Sequence, residues 1–186
     1  MDYITPEIIE ELGFFSPRGN LDGELEADIS EKERLIGFKI AEEIFYLPIA
    51  DVSEILMILP ITYVPRSAPY IEGVINVRGT IIPTVNLRKM MGYDRTSATM
   101  SSRIIIIRWE NIYTGILVDA ITVVASFAPS EIENQSLPTK NSSVDIITRV
   151  SKIDGRISGI LDGGKILNAA GYEKPEKEGD DSHHAA

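Results

Sequence analysis

The sequence predicts an all-β protein made of paired small barrels. Short runs rich in Val, Ile, Tyr and Phe recur about ten times between Arg34 and Leu161, turn residues separate them, and few segments carry helical periodicity. One small barrel would use only half of these strands. Two barrels of roughly 70 residues each would bury too little surface to stand alone. They are therefore expected to lean on each other through a third, shared apolar layer, with a valley between them suited to receive a partner.

Taken in chain order, residues 1–33 read as an acidic, flexible extension. Thr5-Pro6 is a helix start and Gly13 a stop, with Ile8, Ile9 and Leu12 on one face. So short a helix is marginal in water, and the Gly, Asp, Glu and Ser of residues 16–33 read as a linker. The body begins with strands at Arg34–Ile40 and Ile44–Leu47 around a hairpin-length gap. Ile49, Val52, Ile55, Leu56 and Leu59 then recur at helical spacing, which predicts a short helix up to Pro60. Ile61–Val64 reads as a brief strand.

The stretch Gly73–Arg88, GVINVRGTIIPTVNLR, reads as a β-hairpin with Arg78 at its turn. Pro83 cannot donate to a ladder, so the second strand is expected to be an edge or to be bulged there. Leu87–Gly92 makes one helical turn, and the polar residues 94–102 are expected to be mobile. Arg103–Trp109 holds four consecutive isoleucines and reads as a strand buried on both faces. Ile112–Val118 and Ile121–Phe127 follow as strands, then a helical turn over Ala128–Ile132 and a polar loop over 134–143. Val144–Ile153 and Arg156–Leu161 form a hairpin through Asp154-Gly155. Lys165–Ala170 is a terminal helix stopped at Gly171, and residues 173–186 are a charged tail expected to be disordered.

Of 186 residues 44% are hydrophobic, enough for a real core, and none is cysteine, which removes disulfides, thiolate zinc sites and thiol nucleophiles. The formal net charge of −10 is concentrated at the ends: residues 1–33 carry −8 and residues 173–186 carry −3, leaving +1 on residues 34–172. A near-neutral body argues against a phosphate-backbone partner, so nucleic acid is not expected. The amino terminus has no basic-then-apolar leader, and the longest apolar run, Ile55–Leu59, is far short of a membrane span. A cytoplasmic location without direct membrane insertion is the expectation.

Catalytic chemistry finds few candidates. His183 and His184, the two histidines, lie in the charged tail, so no Ser/His/Asp set can form in the body. Gly163-Gly164-Lys165 lacks the spacing and the hydroxyl of a phosphate loop and reads as a helix start. Asp119, Asp145 and Asp162 lie at strand ends and read as turn and cap residues. Asn134-Gln135-Ser136 and Asn141-Ser142-Ser143 are glycosylation sequons on paper, in a chain without an export signal. No enzyme, no cofactor and no metal is expected.

One resemblance is specific. Gly37–Gly92 contains Tyr46-Leu47-Pro48-Ile49, Val52-Ser53-Glu54-Ile55, Ile61-Thr62 with Val64-Pro65, Tyr70-Ile71, Gly73–Gly79 and Pro83–Arg88, in that order. This closely resembles the CheW family of bacterial chemotaxis adaptors. Fainter echoes, Gly115-Ile116-Leu117-Val118-Asp119 and Ile160-Leu161-Asp162, extend it over about residues 34–170. The resemblance implies two interlocked five-stranded SH3-like barrels and a noncatalytic protein that couples chemoreceptors to the regulatory domain of the histidine kinase CheA. It also implies recruitment to membrane-associated arrays. Receptor contact in the family falls at the groove between the barrels, which here implicates Val52, Glu54, Gly73 and Arg78.

The residues themselves leave the roles at those positions open. Arg78 can offer its planar fork of donors to a partner carboxylate or helix C-terminus, or can brace the groove through Glu54. Gly73 most simply permits backbone crowding. Val52 suits core as well as surface. The chain departs from the usual pattern at Val77, at Asn86 where Asp is common, at Gly163-Gly164 and in its first 33 residues. At 186 residues it is not expected to carry a receiver domain or the catalytic parts of CheA. Alternative functions are an adaptor of another array, for twitching or gliding motility or second-messenger output, and a barrel that binds a metabolite between its halves.

Overall fold

Strand β1 (Glu33–Ile40) turns at Ala41-Glu42 into β2 (Glu43–Pro48), and the two pair antiparallel from Leu35 opposite Pro48 to Ile40 opposite Glu43. The computed structural model describes residues 32–94, 96–109, 111–140, 145–153 and 155–171. The expected helix at residues 5–13, the extension before residue 32, the tail after residue 172, the two histidines and the second sequon lie outside the described residues. So do Glu110 and Asp154, each in a turn named above.

The expected helix over residues 49–59 is not formed. Ile49–Asp51 makes one 3-10 turn, and β3 (Val52–Met57) pairs antiparallel with β6 (Arg103–Trp109). A register shift between Val52 and Glu54 puts an extra residue into β3. That bulge breaks the period of two, and the buried residues Val52, Ile55 and Leu56 then fall at intervals that mimic a helix. Thr62 makes a single bridge to Val74 where a brief strand was expected.

The central hairpin is present. β4 (Ile71–Val77) and β5 (Thr80–Asn86) pair up to Val77 opposite Thr80, around the two-residue loop Arg78-Gly79. β5 is an interior strand, not an edge. Its parallel neighbour β7 (Ile112–Val118) joins only from Thr84 onward, and the register shift lies in β4 between Ile71 and Gly73, so Pro83 stands beside the irregularity. Helix α1 (Leu87–Met90) follows, capped by the Asn86 side chain, which accepts from Lys89 N at 3.1 Å.

The remaining strands are β8 (Ala120–Phe127), the two-residue β9 (Ile132–Glu133), β10 (Ile147–Ile153) and β11 (Arg156–Leu161). Helix α2 (Gly163–Ala169) is capped by Asp162, which accepts from Lys165 N at 3.1 Å. The strands form two sheets, ordered β8-β1-β2-β11-β10-β9 and β3-β6-β7-β5-β4. Each is one SH3-like barrel. The second is continuous in sequence, and the first is assembled from the segments on either side of it, which is what interlocks them.

Three apolar clusters account for the packing. Leu35, Phe127 and Ile160 fill the first barrel, and Leu56, Ile75, Val77, Ile82, Ile104 and Ile106 fill the second. The largest cluster joins the two, with Phe38, Leu47 and Leu161 from the first against Ile55, Ile105, Ile107 and Val118 from the second. The four isoleucines of β6 show why. All are fully buried, and alternation turns Ile104 and Ile106 into the second barrel while Ile105 and Ile107 face the seam. This is the shared layer that two marginal barrels require.

Candidate functional site

The Arg78-Gly79 loop has positive φ at both residues, 51° and 90°. Two positive φ angles in a two-residue loop are the requirement of a type I′ turn, which normally selects Asn-Gly or Asp-Gly. Arginine is costly there, because its Cβ crowds the backbone. The Asn76 carboxamide oxygen accepts from Gly79 N at 2.8 Å and helps to hold the loop. From this turn the Arg78 guanidinium donates to Glu54 Oε2 at 3.2 Å.

The partners of this pair differ in exposure. The Glu54 side chain is 12% exposed, and that of Arg78 is 59% exposed. The bulge at the start of β3 sets Glu54 into the second barrel's wall, where the guanidinium offsets much of the cost of burying its carboxylate. One edge of the Arg78 fork is therefore engaged internally while most of its surface faces outward. The contact needed for bracing is present, and so is the exposure needed for docking.

Gly73, with φ of 146°, is required for packing: a Cβ there would stand 2.1 Å from Thr62 O. It lets Thr62 bridge onto β4, with Val74 N to Thr62 O and Thr62 N to Val74 O both at 2.8 Å. Val52 is 6% exposed and belongs to the shared cluster. The structure thus brings Glu54 and Arg78 into contact, presses Gly73 against Thr62, and sets Val52 into the seam. Sequence reading did not separate Ile81 from Ile82. Ile82 is buried, whereas Ile81, Met57 and Tyr63 are exposed on the second barrel. Alternation from the Val77–Thr80 register would have placed Ile81 outward.

Polar groups brace each barrel, and one set joins them. Asp119 accepts from Ala41 N at 2.6 Å and from the Arg88 guanidinium, so it steadies the first hairpin and links it to α1. Asn86 caps α1 through its oxygen and donates through its nitrogen to Glu72 Oε1 at 2.6 Å, and Glu72 also pairs with Lys89 at 2.9 Å. An aspartate at position 86 would keep the cap and lose the donor. Arg149 grips Glu33 with two nitrogens, at 2.6 and 2.8 Å. That hydrogen bonding raises the Arg149 pKa above its ordinary value, against the opposing effect of burial. Burial first, then the charge of Asp162, raises the Asp51 carboxyl; Arg149 works in the opposite direction.

A cleft of about 300 Å³ opens where the first barrel meets the end of α1, lined by Glu43, Phe45, Met91, Tyr93, Lys140 and Ile147 among others. Lys140 lies 4.6 Å above the Tyr93 ring and 3.3 Å from Glu43 at its mouth. Burial and the Glu43 carboxylate push the Tyr93 phenol well above its usual range. Among the described residues no group of three or more His, Asp or Glu side chains is placed to hold a metal ion, and no helix is long and apolar enough to cross a membrane.

The CheW-like domain model matches residues 34–171. The chain is 31% identical over 142 residues to the chemotaxis protein CheW of Bacillus subtilis, covering 76% of this chain and 91% of that protein. It is 32% identical over 143 residues to the chemotaxis protein CheW of Thermotoga maritima, with the same coverage. The crystal structure of the scaffolding protein TtCheW from Thermoanaerobacter tengcongensis superposes with a TM-score of 0.65 at 31% identity, over 70% of this chain and 89% of that one. Matched along both barrels and through the hairpin that carries Arg78, the chain belongs to the CheW-like family.

Proposed function

We propose that this protein is a noncatalytic adaptor that couples the cytoplasmic tips of chemoreceptors to the regulatory domain of the histidine kinase CheA in chemotaxis signalling. The observation that carries the reading is the match of the CheW-like domain across both interlocked barrels, with the family's hairpin intact from Gly73 to Arg88. The working module is residues 34–172, flanked by the acidic extension 1–33 and the tail 173–186. It acts in the cytoplasm and reaches the membrane through its receptors.

The docking site in this reading is the region around Arg78, Glu54, Gly73 and Val52. Arg78 touches the partner, Glu54 aims it, and Gly73 and Val52 keep the surface in shape by packing. A receptor tip is a helical hairpin, whose carboxylates and terminal carbonyls suit a guanidinium fork. No bond is made or broken: two proteins are held close enough for one to control the other.

The test is a pull-down of the full chain with candidate receptor cytoplasmic domains and with the CheA regulatory domain. Capture of both, with a ternary complex, is expected. Capture of neither overturns the reading. Capture by receptors and kinase of a different array moves the same chemistry to another output, and small-molecule binding without either partner assigns the cleft beside Tyr93 the leading role instead.

A further inference from the structure

Strand β8 is an outer strand of its sheet, paired with β1 on one side and, among the described residues, with no strand on the other. Proteins normally guard such edges with charge, proline or shortness, because unpaired N–H and C=O groups template further pairing. β8 runs eight residues, AITVVASF, with no charge and no proline. Ile121, Val123, Val124 and Ala125 are only half-buried. The edge is thus unusually suited to receive another strand.

The first 31 residues of the chain join the fold at this edge. β1 begins at Glu33, which stands opposite Phe127, the last residue of β8. Within those residues, Leu21 to Ile29 alternate strictly: Leu21, Gly23, Leu25, Ala27 and Ile29 on one parity, Asp22, Glu24, Glu26 and Asp28 on the other. A period of two with one apolar row is the pattern of a strand with one face covered. β8 offers no carboxylate to repel the acidic row.

The connection is also long enough. A strand beyond β8 lies two strand spacings from β1, about 9.5 Å. Ser30, Glu31 and Lys32 bridge that gap at roughly 3.5 Å per residue. We propose that residues 21–29 add to the free edge of β8 as a strand parallel to it, with the apolar row toward the first barrel and the four carboxylates toward solvent. The occupant is the chain's own segment. The extension then closes an edge that would otherwise invite association and presents an acidic rim.

Amide hydrogen exchange on the full-length protein tests this, read by NMR at two protein concentrations. The comparison is with the double variant Glu24→Pro/Leu25→Pro, which removes a backbone donor of each parity. Amides of residues 121–126 that do not donate to β1 should be protected in the native chain. In the variant they should exchange at least about tenfold faster, with the β1–β2 hairpin unchanged. Leu25→Val, which suits a strand, should retain the protection. Equal exchange in native and variant chains overturns the proposal. Protection that survives the two prolines and grows with concentration also overturns it, because a second copy would then be the occupant.

Discussion

Arg78 carries the sharpest single-residue test, because its backbone and its side chain make opposite demands. With φ at 51°, the position suits Asn or Gly better than Arg. Replacement by Asn should relieve the turn but leave the nearly buried Glu54 carboxylate without this partner, so the two effects oppose and the melting temperature should change little. A pair with one partner 59% exposed is worth at most about 1 kcal/mol. The same substitution, or Arg78→Ala, should weaken receptor-tip binding by about 2 kcal/mol, as for an anchoring arginine. Titration calorimetry beside thermal melts checks both arms. Unchanged affinity with a lower melting temperature would assign Arg78 to internal bracing. Thr84 offers a second test in the second barrel. Its hydroxyl is buried and, among the described residues, without a hydrogen-bond partner. Thr84→Val keeps the shape and removes the unmet polar group, so urea unfolding should show a gain of about 1 kcal/mol. A loss would mean that the hydroxyl is satisfied in solution.

At the scale of elements, the 3-10 turn at Ile49–Asp51 and the start of α2 share one close-packed seam. A Cβ on Gly163 would lie 3.0 Å from Asp51 Oδ2, so the carboxyl is pressed against the capped helix start beside Asp162. The Asp51 carboxyl is held above its ordinary value, chiefly by burial. Between the ordinary and the raised value the folded chain binds more protons than the unfolded chain, so stability falls as pH rises through that window. Above it the cost of the charge is fully present. Asp51→Asn should accordingly raise the melting temperature at pH 7, with the advantage vanishing below the ordinary carboxylate value of about 4. Melts across pH check it. An advantage that persists in acid would make it a packing effect.

For the whole molecule, the interlocked topology predicts cooperativity. The second barrel is inserted within the first, and their largest apolar cluster is common property. Neither barrel should survive loss of the other. The one tryptophan, Trp109, ends β6 and packs near Gly164 at the start of α2, so its fluorescence reports the seam. Urea unfolding followed by Trp109 fluorescence and by far-ultraviolet circular dichroism should give coincident midpoints. Separate transitions would mean that the barrels are independent and that the shared layer contributes little.

What the amino-acid sequence determined by itself was whatever depends on neighbours along the chain. The Arg78-Gly79 turn, the isoleucine strand at residues 104–107, the cap at Asp162 and the all-β class were all legible, since turn chemistry and unbroken runs of β-branched residues are local. The ordered motif from Tyr46 to Arg88 also carried the family. The tertiary structure alone decided that residues 52–57 form a strand, because a bulge against β6 erased the alternation that would have marked it. It alone decided that Glu54 meets Arg78 across 24 residues and that Gly73 is forced by Thr62. The physical reason is common to all of these: each depends on which strand lies alongside, and strand pairing is a choice among distant segments that no local pattern encodes.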